Sequence, residues 1–235
     1  MKKGDLRRGQ ILDMAEALFF EKGYDRTSIQ DILDALGMSK GGFYHYFDAK
    51  ETVLREICER KWVGRYDQLR VDLMNDRRGP VDKLNQLLRQ ANLFEAEETR
   101  FAALLLKLCY RDHDAAIRDY RRRVLIDRLL PQVDEAVLEG INAKVMHARY
   151  PMGVGRVLLL LACDINDEVC EILADDLDNP DRMIPVIELL NTYRESAELL
   201  CGAPYGSIQL FDPARMVDTW REVTEELKRL EENEI

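Results

Sequence analysis

The stretch SKGGFYHYFDAK, Ser39 to Lys50, sets two glycines before five consecutive rings: Phe43, Tyr44, His45, Tyr46 and Phe47. Five neighbours cannot all face one way on a helix, so the run must divide between core and surface. Each helical residue advances about 100°. With Phe43 at zero, Phe47 falls at about 40°, Ser39 at about −40°, Tyr44 near 100°, Gly41 near 160° and His45 near 200°. Phe43 and Phe47 are therefore the expected anchors. Tyr44 and His45 are displayed, and Gly42 and Tyr46 lie on the flank.

The elements around this run read clearly. A first helix carries Ile11, Leu12, Ala15, Leu18 and Phe19 on one face and ends at Gly23, suited to a left-handed cap. Thr27 followed three residues later by Gln30 predicts a capping box at the start of a second helix. Ile29, Ile32, Leu33 and Leu36 form its apolar stripe; Gly37 stops it, with Met38 packing back on Leu33. Ser39 begins a third, very short helix. Asp48 and Glu51 predict the start of a fourth, carrying Val53, Leu54, Ile57 and Cys58 past Trp62 and Tyr66 to about Asp76, before the breaker Arg78-Gly79-Pro80.

Two short helices joined by a glycine turn and locked to a preceding helix form the layout of a helix-turn-helix reader of DNA. Tyrosine and histidine donate hydrogen bonds to phosphates and touch base edges. Gly41 and Gly42 remove bulk, so the backbone can approach closely. Lys40 stands at the helix start, where base contacts are made, and Lys50 just beyond its end, within reach of a phosphate. The N-terminus of the second helix offers N–H groups and the Ser28 hydroxyl to another phosphate. Lys2, Lys3, Arg7 and Arg8 are further phosphate candidates, or an ordinary solvated terminus.

Charge is unevenly spread over the 235 residues. Residues 1–61 hold 11 Lys/Arg and 11 Asp/Glu, so the formal net charge of −10 lies entirely in the rest of the chain. Such asymmetry points to two jobs. The five cysteines, Cys58, Cys109, Cys163, Cys170 and Cys201, are scattered without a CxxC pair, which predicts buried free thiols in a cytoplasmic protein. A redox-sensing thiol is the minor alternative. No signal peptide is apparent, and the longest apolar run, Val157–Cys163, is too short to cross a bilayer, so no membrane role is expected.

Beyond residue 61 the apolar spacing stays helical and strand alternation is missing, which makes the chain all-α. A long helix is expected from an Asp114 cap, through Pro131, to Gly140. Others span Gly153 to about Leu177 and Met183 to Leu200, separated by Asn179-Pro180. The last spaces Met216, Trp220, Val223, Leu227 and Leu230 so as to pack on the bundle. Arg118, Arg121, Arg122 and Arg123 suggest a solvated face, or a greeting for an anionic ligand. The three histidines, His45, His113 and His147, are far apart and suggest no metal site, and no nucleophile–base motif or phosphate loop stands out, so neither a cofactor nor catalysis is expected.

The segment GYDRTSIQDILDALGMSKGGFYHYFDAKE, Gly23 to Glu51, resembles the signature of the TetR family of one-component transcriptional repressors. Two positions depart from the usual pattern: Leu33 stands where many members have a small residue, and Gly42 where many have Thr or Ala. The resemblance implies a three-helix DNA-binding domain at residues 1–50 and a larger effector-binding and dimerisation bundle at residues 51–235. Carried over by position, the DNA contacts fall on Ser28, Lys40, Gly41, Gly42, Tyr44, His45 and Lys50. The implied partners are operator DNA, an unknown small-molecule effector and a second copy of the chain. Trp62, Tyr66, Phe101, Tyr110, His113 and Tyr120 sit on helices that usually line the pocket, although each alone reads more readily as core than as a ligand contact. Leu158 to Ala162, apolar all round, continues through Ile165, Val169, Cys170, Ile172 and Leu173. With Ile184, Ile187, Leu189, Leu190 and Tyr193 it is the expected dimer face, the other reading being a monomer's core. The alternative function is a protein-interaction or nucleic-acid-binding module of the same fold that answers no effector.

Overall fold

The computed structural model describes residues 3–96, 98–112, 114–175 and 183–232. Eleven α-helices order the described residues, with no strand among them: α1 Lys3–Lys22, α2 Ile29–Leu36, α3 Lys40–Tyr44, α4 Lys50–Met74, α5 Pro80–Leu88, α6 Leu93–Ala96, α7 Thr99–Leu106, α8 Ala115–Asn142, α9 Val154–Asp175, α10 Met183–Cys201 and α11 Pro213–Glu232. A 3₁₀ turn, Arg89–Ala91, joins α5 to α6, and a π turn, Lys107–Arg111, extends α7. The break expected at Asn179-Pro180 lies outside the described residues.

α1 buries Ile11, Leu12, Ala15, Leu18 and Phe19, the face its sequence spacing marks. It packs on α2 and α4. α2 adds Ile32 and Leu33, and Gly37 ends it at φ 57°. There the Met38 N–H donates to the Leu33 carbonyl and the Gly37 N–H to the Asp34 carbonyl, the paired bonds of a Schellman cap.

Two helix starts differ from expectation. The capping box of α2 is built by Ser28 and Asp31, not by Thr27 and Gln30. Thr27 is buried, and its hydroxyl bonds the carbonyls of Leu18 at 3.2 Å and Gly23 at 2.7 Å. That makes it a pin on the C-terminus of α1, which takes it out of the cap. The fourth helix begins at Lys50 behind Ala49, with no side-chain cap, so Asp48 does not start it.

The body follows the expected order. Asp114 Oδ1 accepts from the N–H groups of Ala116 and Ile117 to cap α8. α8 runs through Pro131 and past Gly140 to Asn142. Gly140 stays inside because Met146 folds back on it; a β-carbon there would lie 2.6 Å from the Met146 sulfur. α4 and α5 pack on α8, α8 on α9, and α9 on α10. α11 lies along α7 and α6 through Val223, Leu227 and Leu230, and touches α1.

The run of arginines is not a solvated face. Arg121 is buried and donates to the Ala91 carbonyl at 2.7 Å, Arg118 pairs with Glu171, and Arg122 with Asp167. All five cysteines are buried thiols, none of them in a disulfide. Burial pushes the thiols of Cys109 and Cys163 up to about 12 and about 11, which holds them protonated. Among the described residues, no helix is long and apolar enough to cross a membrane.

Candidate nucleic-acid interface

The ring run divides as its periodicity dictates, although α3 ends at Tyr44 and the last three rings ride on the turn that follows. Phe43 and Phe47 are both fully buried, their ring centres 5.9 Å apart. Each contributes roughly 2–3 kcal/mol of burial. Tyr44 is 45 % exposed, and His45 is also exposed, its ring set edge-on against half-buried Tyr46 at 5.0 Å. Ser39 Oγ accepts from the Gly42 N–H at 3.2 Å, which fixes where α3 starts.

The glycines carry a second argument. A β-carbon at Gly41 would meet nothing within 4 Å, and at Gly42 only Met38 and Ser39 at 3.4 Å. Neither glycine has a positive φ. The chain's own packing therefore requires no glycine at Gly41, yet helical glycine costs about 0.5–1 kcal/mol relative to alanine. Open space over an unsupported glycine suits a surface that another molecule approaches.

Lys40 lies beside this face, its ammonium 5.9 Å from the Tyr44 ring centre, with no carboxylate partner among the described residues. Ser28 is exposed, but its hydroxyl is engaged in the cap, accepting from the Asp31 N–H at 3.1 Å and donating to the Asp31 carboxylate. That carboxylate is held well below the usual range, first by Lys22 Nζ at 2.7 Å and then by the Ser28 hydroxyl and N–H. Lys50 is engaged too. Its ammonium donates to the Tyr24 carbonyl at 2.6 Å and the Asp25 carbonyl at 3.4 Å, and burial lowers its pKa. Arg8 is likewise tied inward, to the Glu56 carboxylate and the Tyr46 carbonyl, over the Phe47 ring. Arg7 reaches the Leu36 carbonyl at 3.4 Å, and Lys2 lies outside the described residues. The free display is thus Lys40, Gly41, Gly42, Tyr44 and His45; Ser28 and Lys50 adjoin it with their polar atoms already bonded.

Most of the aromatic candidates in the body are buried. Trp62, Tyr66, Phe101 and Tyr110 are buried in the core. Trp62 and half-buried Tyr120 do meet, ring centres 6.2 Å apart, and Trp62 Nε1 has no hydrogen-bond partner among the described residues. The Tyr110 hydroxyl donates to Asp167 at 2.7 Å and accepts from Asn166 at 3.1 Å. His113 lies outside the described residues. A cleft opens elsewhere, between α4, α5 and α8. No sequence motif marks it, because its lining comes from three separated helices. Among the described residues, no group of three or more His, Cys, Asp or Glu side chains is placed to hold a metal.

The expected dimer residues split. Ile165, Val169, Cys170 and Leu173 belong to this chain's own core, whereas Leu160, Ile184 and Ile187 are exposed along α9 and α10, as is Val157 just before the expected stretch.

Known proteins match this arrangement. Residues 11–57 fit the family model for bacterial regulatory proteins of the tetR family. The HTH-type transcriptional repressor KstR2 of Mycolicibacterium smegmatis is 31 % identical over 116 residues, 48 % of this chain and 52 % of that protein. KstR2 of Rhodococcus jostii is 47 % identical over 51 residues, covering 22 % and 25 %. The chain spans about half the length or less of these relatives. In fold it is similar to a TetR-family regulator from Pectobacterium atrosepticum, with TM-score 0.57 and 16 % identity, covering 87 % of this chain and 100 % of that one. The displayed third helix lies inside the matched segment: residues 11–57 are similar to bacterial regulatory proteins of the tetR family, and the chain shares an all-helical fold with the solved regulator.

Proposed function

We propose that this chain is a transcriptional repressor that binds a palindromic operator as a homodimer and is released by a small-molecule effector. The observation that carries the reading is the face of α3: two rings held out by two buried phenylalanines, beside a free lysine and an unsupported glycine. In this reading residues 1–50 are the DNA-binding domain, residues 51–235 the effector and dimer domain, and the protein works in the cytoplasm without catalysis. Ser28, Lys40, Gly41, Gly42, Tyr44, His45 and Lys50 meet DNA. Ser28 and Lys50 do so mainly by fixing the backbone that phosphates approach. The repressor names of the sequence relatives support the direction of control.

A dimer has a geometric purpose, since two recognition helices about one DNA turn apart, roughly 35 Å, read a palindrome. Exposed Val157, Leu160, Ile184 and Ile187 supply an apolar face on adjacent helices for it. Release follows if the effector binds the non-DNA state more tightly; by linkage, DNA then weakens effector binding equally. A cleft against α4 supports this over the effector-free module, because α4 leads directly from the reading head. The test is a titration of DNA from upstream of the protein's own gene, repeated with saturating effector. Unchanged operator affinity at saturation would overturn the release mechanism.

A further inference from the structure

About 410 Å³ opens between the last turns of α4, the helix α5 and the second half of α8. Small-molecule sites run roughly 300–1,000 Å³. Leu73, Leu87 and Ala136 give it apolar walls. Arg70 also lines it, and among the described residues this guanidinium has no ion pair or hydrogen bond. The other cation, Lys83, is already held by Glu139 at 2.9 Å, and Glu135 lies exposed on the rim. Gln132, also in the lining, buries its Oε1 with no hydrogen-bond partner. A buried acceptor left unpaired costs about 1–3 kcal/mol, so a ligand that supplies a donor gains there.

We propose that this cleft is the effector site and takes an amphipathic monocarboxylate that also carries a hydrogen-bond donor. The carboxylate meets the two-pronged Arg70 guanidinium. The donor meets Gln132 Oε1, and the apolar body lies along Leu73, Leu87 and Ala136. Glu135 and Glu139 repel a second negative charge, which disfavours dianions such as phosphate esters. The assignment rests on the reading that the body holds an effector, and it identifies the chemistry. It also supplies the connection: α4 spans about 37 Å from Lys50 to Met74. A ligand at Arg70 therefore touches the helix whose first residue is bonded to the Tyr24 and Asp25 carbonyls of the reading head.

The test is isothermal titration of the full chain with decanoate, ω-hydroxydecanoate, decan-1-ol and decylammonium. Both acids are expected to bind, the hydroxy acid more tightly, and the alcohol and amine at least about tenfold more weakly. Arg70→Gln removes the preference for acid over alcohol, Arg70→Lys keeps part of it, and Gln132→Leu removes the preference for the hydroxy acid. Thermal melts check that each variant is folded. The assignment is overturned by failure of both acids to bind saturably, by amine or alcohol binding as tightly as acid, or by Arg70→Gln leaving acid affinity unchanged. A parallel titration of operator DNA separates the two levels. Acids that bind at Arg70 yet leave DNA affinity unchanged uphold the ligand chemistry and overturn the release reading.

Discussion

The Lys50 ammonium donates to the Tyr24 carbonyl at 2.6 Å and lies 4.1 Å from the centre of the same residue's ring. The first residue of α4 is thereby stitched to the loop between α1 and α2, and so to the helix that leads into α3. A sequence position that suggests a phosphate contact is, in the free protein, a joint between the reading head and the helix that leads into the body. Lys50→Met is expected to lower stability by about 1–2 kcal/mol, the range of a partly exposed charged hydrogen bond. Denaturant unfolding reads this directly. A role in phosphate binding alone predicts unchanged stability.

The start of α2 separates two adjacent hydroxyls. Ser28→Ala removes the cap and should cost about 1 kcal/mol. Thr27→Val removes a buried donor to two carbonyls and should cost about 1–2 kcal/mol. The roles expected from the sequence would make Thr27 alone the cap.

Asp31 adds a pH dependence. Its carboxylate is depressed by Lys22 and Ser28, so its contribution is complete above its unfolded value of about 4 and fades as pH falls through the lower folded value. The stability difference between the protein and Asp31→Asn should be constant from neutral pH to about pH 5, then shrink in acid. A difference that grows in acid contradicts the assignment.

Gly41→Ala should move two readouts in opposite directions. A β-carbon meets nothing there, so stability is expected to rise by about 0.5–1 kcal/mol. Operator affinity is expected to fall severalfold, because the new methyl stands on the approached face. Paired melting and DNA-binding measurements check both signs.

Arg100 joins three elements: it pairs with Glu226 of α11 at 2.9 Å, donates to the Phe20 carbonyl of α1 at 3.3 Å, and lies over the Phe20 ring. It is largely exposed, so Arg100→Ala should cost no more than about 1 kcal/mol. The loss should be local, read as faster amide exchange in α11 and the end of α1, with α8 and α9 unchanged.

Periodicity alone placed Phe43, Phe47, Tyr44 and His45, because a helix's angular repeat separates anchors from displayed residues whatever else the chain does. The cap of α2 slipped by one residue because Thr27-x-x-Gln30 fits the local pattern better than Ser28-x-x-Asp31. The decision came from outside the segment, where the end of α1 lies over Thr27 and Lys22 meets Asp31. The arginine cluster failed for the same reason: a helix's own sequence does not reveal that Ala91, Asp167 and Glu171 wait opposite it. Aromatic spacing marked Trp62, Tyr66 and Phe101 as inward without distinguishing a pocket wall from filled core. The cleft at Arg70 and Gln132 has no local signal at all, since it exists only once α4, α5 and α8 are packed.

The most direct measurement of the central claim is an anisotropy titration of DNA from upstream of the gene, with the protein and with a Tyr44→Ala/His45→Ala double variant, over a range of salt. The account predicts saturable binding that weakens steeply with salt, since phosphates supply much of the affinity. It predicts at least about tenfold weaker binding by the variant, with stability changed by no more than about 0.5 kcal/mol, as for exposed sites generally. Equal affinity of the two proteins for the same fragment would contradict it.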